Sequence, residues 1–97
     1  MLKPFDWDIE KNKKLIEGRN ISFEEVVFCI EQGNLLDIVD HPNDKYAHQK
    51  MLVVNIQEYV YLVPFVETET TYFLKTIFPS RKATNQYFHK EENHEDR

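Results

Sequence analysis

The chain is poor in the features that mark several classes of protein. Its 97 residues include a single cysteine, Cys29, so no internal disulfide can form and a disulfide-stapled fold is excluded. No apolar run approaches the ~20 residues that a membrane-spanning helix needs, and nothing at the N-terminus resembles a signal peptide. We therefore expect one domain in a reducing cytoplasm, with no membrane partner.

Positive charge is also scarce, because 12 Lys and Arg face 17 Asp and Glu and give a net charge of −5. A nonspecific nucleic-acid-binding protein should be basic overall, so this class is disfavoured. The charge is unevenly spread. Residues 21–44 hold six acids and no Lys or Arg, whereas residues 45–90 hold six cations and three acids. The second half can therefore carry a local basic site, and the acidic segment can meet a basic partner.

Capping signals predict two helices near the start of the chain. A short strand at 5–7 precedes Asp8, which can cap a helix that runs to about Glu17. Ser22 and Glu25 then form a capping box, which is typical of the start of a second helix.

The rest of the chain is dominated by strand-like patterns. Four apolar or alternating stretches predict strands at 35–39, 51–56, 59–66 and 71–78. Pro64 lies inside the most apolar stretch and implies a bulge or an unpaired position. Ser80 begins a last helix that runs to about Lys90, and an acidic, disordered tail follows at 91–97. This order predicts an α+β domain over residues 1–90, with helices on one face of an antiparallel meander.

The junction between the last strand and the last helix carries an informative motif. The chain leaves the strand at Pro79, and Ser80 can cap the helix that follows. Arg81 and Lys82 fall in the first turn of that helix, where cations oppose the helix dipole. Such an arrangement suits a phosphate-binding site. Two solvated side chains on a helix surface are the equally weighted alternative.

Two groups of motifs occur in a distinctive order. Near the start stand Phe5-Asp6-Trp7-Asp8, Glu10-Lys11-Asn12 and Ile21-Ser22-Phe23-Glu24-Glu25, and the chain closes with Ser80-Arg81-Lys82-Ala83-Thr84 after an apolar strand. In this order and at this length, the motifs resemble those of the BrnT-type toxins. The likeness covers roughly residues 4–90.

The resemblance implies a fold, an activity and a partner. BrnT-like proteins are toxins of bacterial type II toxin–antitoxin pairs, have a RelE-like fold and act as ribonucleases that inhibit translation. A cognate antitoxin with a ribbon-helix-helix DNA-binding part neutralises them. The implied partners are therefore an RNA substrate and that antitoxin, with operator DNA contacted only through the antitoxin.

The resemblance also implies site residues among the late cations. The family's basic pair after the last strand maps onto Arg81 and Lys82, and its late strands often carry a further Arg. Lys75 is the only cation of those strands here. Lys75 also interrupts an apolar face, which costs free energy unless the face opens at a site or the side chain reaches water. We therefore predict catalytic roles for these three cations, with Arg81 able to bind phosphate bidentately.

Two further residues are candidates for proton transfer or base contact. Glu67 ends the central strand and could serve as a base, although a solvated hairpin acid is the favoured reading. Tyr87 could stack on a base or transfer a proton, although packing beside Phe88 or against the sheet is favoured.

The loop after residue 40 supplies the remaining candidates. His41 is of the residue type best tuned for acid–base work near neutrality, whereas a plain turn histidine is the competing reading. Lys45, Tyr46 and His48 continue a polar loop that could line a substrate-binding cleft. The histidine spacings match no ordinary zinc site, so we predict neither a metal nor a cofactor.

Two functional hypotheses follow from these residues. The first is a metal-independent ribonuclease toxin held inactive by its antitoxin. The second is a non-catalytic interaction module, an inactive toxin relic that binds an antitoxin-like DNA-binding partner. The acidic net charge and the sparse late cations favour the second modestly. Direct DNA binding by this chain alone is disfavoured, because no recognition helix stands out.

Overall fold

The structure is a computed structural model that describes residues 2–88, so the predicted end of the last helix and the acidic tail lie outside the described residues. It is an α+β fold with three helices and a mixed sheet. In chain order the elements are β1 (Phe5–Trp7), α1 (Ile9–Arg19), α2 (Phe23–Glu31), β2 (Leu35–Asp40), a short 3₁₀ helix (Asp44–Tyr46), β3 (Lys50–Ile56), β4 (Tyr59–Glu67), β5 (Tyr72–Leu74), β6 (Phe78–Pro79) and α3 (Arg81–Phe88).

The sheet has the order β1-β5-β4-β3-β2, and β6 lies beside β4 on the same side as β5. Strands β2 to β5 form the predicted antiparallel meander. Strand β1, which the predicted meander does not include, pairs with β5 in parallel, so the sheet as a whole is mixed. The two strands are separated by most of the chain, so no tight hairpin sets their direction. Among the helices of the described residues, none is long and apolar enough to cross a membrane.

Both predicted N-cap residues near the start are confirmed, whereas among residues 2–88 only the Ser22 half of the predicted capping box forms. Asp8 accepts bonds from the backbone N–H groups of Glu10 and Lys11, and Ser22 accepts one from Glu25. Helix α1 nevertheless continues beyond Glu17 to Arg19, and it ends at Asn20, whose φ of 56° is left-handed. Asparagine tolerates this conformation better than most residues, so it can end a helix as glycine does.

A buried amide joins the first two helices. Asn12 on α1 is 7% exposed, and its Oδ1 accepts a bond of 2.8 Å from the Phe23 N–H at the start of α2. Its Nδ2 donates to the Glu24 carboxylate over 2.7 Å. This donation, followed by smaller backbone and Ser22 hydrogen bonds, lowers the pKa of Glu24 below its usual value. The side chain of Asn12 therefore satisfies an otherwise unpaired donor at the start of α2.

Helices α1 and α2 cover one face of the sheet. Side chains from both helices and from β3, β4 and β5 form the main core, including Leu15, Phe23, Val26, Leu52, Val54, Val63, Phe65 and Leu74. Because side chains alternate along a strand, the neighbouring residues of β3 and β4 point to the other face. The core therefore lies between the α1–α2 pair and the sheet.

Helix α3 packs on the opposite face, which differs from the prediction of helices on one face only. Asp37 on β2 pairs in register with Val53, a buried residue that alternates with the core residues of β3. The Tyr87 hydroxyl near the end of α3 donates to the Asp37 carboxylate over 3.3 Å. At the start of α3, the Thr84 Oγ1 accepts a bond of 2.8 Å from the Val60 N–H on β4. Helix α3 thus runs from the edge of β4 across to β2.

The strand predicted at 71–78 is broken into β5 and β6. On that side, β4 pairs with β5 from Phe65 onward and with β6 only at Tyr61 and Leu62. Between these ladders stands Pro64, which has no N–H to donate and accepts a single bond of 2.8 Å from the Lys75 N–H. Pro64 pairs in register with Met51 of β3, so the predicted unpaired position is present only on the side of β5 and β6. It leaves a gap beside β4.

Candidate functional site

A cleft of about 280 Å³ opens at the gap beside Pro64. Its walls come from the loop after β2, from β4 and from the segment between β5 and β6. The lining residues are His41, Tyr46, Gln49, Pro64, Lys75, Thr76 and Phe78. The cleft therefore brings together three of the sequence-predicted site residues, His41, Tyr46 and Lys75.

The loop after β2 is held closed by backbone hydrogen bonds. The His41 N–H donates to the Gln49 carbonyl over 3.3 Å, and the Gln49 N–H donates to the Tyr46 carbonyl over 2.8 Å. Asn43 caps the short 3₁₀ helix by accepting a bond of 2.9 Å from the Lys45 N–H. The centroids of the His41 and Tyr46 rings lie 5.0 Å apart, so the two rings pack against each other.

One ring nitrogen of His41 is already occupied. The Asn43 N–H donates to Nδ1 over 3.2 Å. An imidazole nitrogen that accepts a hydrogen bond carries no proton, so the neutral ring has its proton on Nε2. Nε2 is therefore the nitrogen through which His41 can contact a ligand.

Lys75 directs its charge away from the main core. Tyr72 and Leu74 belong to the core, so alternation places Lys75 on the face that α3 shares. The side chain is exposed, and its Nζ lies 5.4 Å from the centroid of the Phe73 ring. Within residues 2–88 no carboxylate lies within ion-pair distance of this ammonium group. The Lys75 charge is thus free to meet an anion.

The electrostatics of the cleft favour an anionic ligand. Its lining contains one ammonium group and one imidazole, and no carboxylate. Lys45, on the same loop, places its Nζ 5.6 Å from the centroid of the Tyr46 ring. His48 is exposed on that loop but does not line the cleft. Lys45 therefore lies next to an aromatic ring that lines the cleft, and Lys75 lines the cleft itself.

Arg81 and Lys82 lie in the first turn of α3 and are exposed, as predicted. The predicted cap is also present, because Ser80 Oγ accepts a bond of 3.0 Å from the Ala83 N–H. Neither cation lines the cleft, although Phe78 just before them does. The basic pair and Lys75 thus occupy separate parts of the surface around β6.

Glu67 and Tyr87 also lie outside the cleft. Glu67 forms an ion pair of 2.7 Å with Lys3, and alternation along β4 turns it to the face opposite Pro64. Tyr87 is bound to Asp37 at the far end of α3. Partial burial, then the charge and hydrogen bond of Asp37, raise the pKa of the Tyr87 phenol. Both residues have structural partners within the described part of the chain.

Two polar residues that line the cleft, Gln49 and Thr76, are not among the site residues predicted from the sequence. Gln49 is a polar residue that is only 8% exposed, but the sequence shows it as one more member of a polar loop. The loop covers the gap beside Pro64. Gln49 can therefore be predicted as a site residue only if the sequence shows that this loop lies next to Pro64.

A second cavity, of about 450 Å³, lies between β1 and α2, and its walls are largely apolar. It contains none of the predicted site residues. Across residues 2–88 there is no group of three or more His, Cys, Asp or Glu side chains that could hold a metal ion.

Comparisons of this chain with protein-family models, with curated proteins and with solved structures found no match.

Proposed function

We propose that the protein is the toxin of a bacterial type II toxin–antitoxin pair, with a RelE-like fold, and that it acts in the cytoplasm as a metal-independent endoribonuclease. The proposal rests first on the resemblance of its motifs to BrnT-type toxins. The observation that carries it is the cleft that joins His41, Tyr46 and Lys75 without any carboxylate in its lining. That combination suits a ligand with an aromatic base and an anionic phosphate.

The proposed reaction is an attack of a ribose 2′-oxygen on the adjacent phosphorus. The bond between phosphorus and the 5′-oxygen breaks, which leaves a 2′,3′-cyclic phosphate and a free 5′-hydroxyl. One proton leaves the 2′-hydroxyl and one arrives at the 5′-oxygen, so the reaction needs no metal or other co-reactant. Lys75 stabilises the negative charge on the phosphate, and Tyr46 stacks on a base.

His41 transfers a proton through Nε2. As a base, the ring must carry its proton on Nδ1, and as an acid it must carry protons on both nitrogens. Either role requires the loss of the bond that Nδ1 accepts from Asn43. The net cost of one such bond is about 0.5–1.5 kcal/mol. General acid–base catalysis accelerates a reaction about 10²–10⁴-fold. The lowering of the activation barrier that this acceleration represents is larger than the cost of the lost hydrogen bond.

Arg81 and Lys82 hold the RNA outside the cleft in this proposal. Both are exposed just after Phe78, which lines the cleft. The first turn of α3 adds its own partial positive charge at that place. The basic pair can therefore bind the phosphates that flank the bond being cut, while Lys75 serves the reacting phosphate.

The test uses purified chain, RNA and EDTA. We expect cleavage products with 2′,3′-cyclic phosphate ends, detected by mass spectrometry. Lys75→Met and His41→Gln should each reduce the rate by at least about tenfold, since each removes a group from the reacting centre. Lys14→Met is the charge-matched control, because Lys14 is exposed on α1 at the other face of the sheet.

Two outcomes would overturn the assignment of the cleft. Equal rates for Lys75→Met and Lys14→Met would remove Lys75 from the site. Cleavage that depends only on Arg81 and Lys82 would move the site to the start of α3.

The second candidate is the non-catalytic interaction module, which binds an antitoxin-like DNA-binding partner and cuts nothing. The separation of Arg81 and Lys82 from the cleft favours this candidate, as does the ion pair that occupies Glu67. RNA that stays intact with EDTA and also with Mg²⁺, together with stable binding of the partner, would establish this reading.

A further inference from the structure

Gln49 is a polar side chain in an unusual position. It is 8% exposed, and it lies in the wall of the cleft beside Pro64. Its backbone groups bond to Tyr46 and His41. Within residues 2–88, by contrast, the side-chain amide has no hydrogen-bond partner, whereas the other buried polar side chains, Asn12 and Thr84, are both bonded.

The side-chain amide of Gln49 keeps some contact with solvent. No side-chain nitrogen or oxygen of the described residues is both fully buried and unpaired. The polar atoms of Gln49 consequently keep some access to water despite the burial of the residue. Since Gln49 lines the cleft, its amide can offer N–H donors and a carbonyl acceptor to a ligand there.

The surroundings of the amide suit a flat, partly polar ring. Pro64 and Phe78 give apolar walls, and Tyr46 gives an aromatic face. A nucleobase has a face that stacks on aromatic rings and edges that carry adjacent donors and acceptors. The volume of about 280 Å³ lies just below the usual range of ligand pockets, which begins at about 300 Å³. The cleft is thus suited to a single nucleotide unit.

We propose that Gln49 is the base-anchoring residue of the cleft and that the cleft binds one nucleotide through its base as well as its phosphate. This inference rests on the proposed function, because it assigns the cleft to RNA. Gln49 bonds the edge of the base, and Lys75 meets the phosphate. Thr76, beside Lys75, adds a hydroxyl to the same wall.

The test compares adenosine 3′-monophosphate with ribose 5-phosphate, titrated into the intact chain and followed by NMR. The nucleotide should bind about tenfold more tightly than ribose 5-phosphate or better, since stacking and two hydrogen bonds are added. Gln49→Leu should lose at least about fivefold of the nucleotide affinity and leave the affinity for ribose 5-phosphate unchanged. Gln86→Leu, an exposed glutamine on α3, is the matched control.

A second measurement does not depend on whether the Gln49→Leu variant folds. In the unaltered chain, the side-chain amide resonances of Gln49 should shift on addition of the nucleotide and stay unchanged with ribose 5-phosphate. Unshifted resonances in the presence of bound nucleotide, or equal binding of the two ligands, would overturn the role of Gln49. Those results would leave RNA cleavage intact. Nucleotide binding that depends on Gln49 without any RNA cleavage would overturn the proposed function alone.

Discussion

Thr84 joins α3 to the edge of β4, and its replacement by valine should weaken that joint measurably. The Thr84 Oγ1 accepts the Val60 N–H over 2.8 Å and donates to the Ser80 carbonyl over 2.7 Å, and the residue is 5% exposed. Thr84→Val keeps the shape and leaves a buried N–H without a partner, which costs about 1–3 kcal/mol. For a domain of this size, each kcal/mol lowers Tm by about 4–8 °C. Urea unfolding followed by circular dichroism measures the loss.

Thr84→Ser is the control that separates the hydroxyl from the packing. Serine keeps the acceptor and loses one methyl group, which costs about 0.8 kcal/mol. Because the two losses can be similar in size, hydrogen exchange of the Val60 amide decides between them. This amide should stay protected in the serine variant and exchange faster in the valine variant. Unchanged protection in Thr84→Val, with unchanged stability, would refute the assigned bond.

Three smaller predictions concern titrating groups. The pKa of Glu24 is lower in the folded protein than in the unfolded chain, where it is about 4.5. The ionised carboxylate therefore stabilises the fold above the unfolded-state pKa, and this stabilisation is lost as the pH falls through the folded-state pKa. Glu24→Gln should therefore be less stable than the unaltered chain at pH 7, and the difference should shrink on acidification; a difference that stays constant from pH 7 to pH 3 would contradict this. The Tyr87 phenol should titrate above 10 by NMR, and Asp37→Asn should lower its pKa only in part, because partial burial, the largest single cause, remains. Burial also raises the pKa of the Cys29 thiol, so its alkylation by iodoacetamide at pH 8 should be slower than that of a free cysteine, and an equal rate would refute the raised value.

Local signals in the sequence predicted local structure well. Asp8 and Ser22 cap the helices as expected, because a side-chain oxygen beside unpaired N–H groups needs no distant partner. The chain turns tightly from β3 to β4 at Gln57 and Glu58, with φ values of 54° and 63°. Neither residue is glycine, and Asn55 supports the turn through its side-chain Oδ1, which accepts a bond of 2.9 Å from the Glu58 N–H.

Long-range arrangements could not be predicted in the same way. The parallel pairing of Phe5–Trp7 with β5 depends on how the chain returns after three other strands, and three residues carry too little pattern to specify a direction. The placement of α3 on the opposite face depends on β6, which pairs with the edge of β4 just before α3 begins. Among the candidate site residues, His41, Tyr46 and Lys75 meet in one cleft, whereas Arg81 and Glu67 do not line it. Sequence spacing gives no distance between residues on different strands.

Pro64 connects the local signals to the cleft. A residue without an N–H cannot complete a ladder with the next strand, and here the chain on that side separates into β5 and β6. In a continuous sheet the space beside β4 would be filled by backbone. At Pro64 it is instead lined by side chains, including the imidazole of His41 and the ammonium group of Lys75. A single proline, read from the sequence as an irregular point in a strand, thus marks the place where this sheet presents reactive side chains in place of hydrogen-bonded backbone.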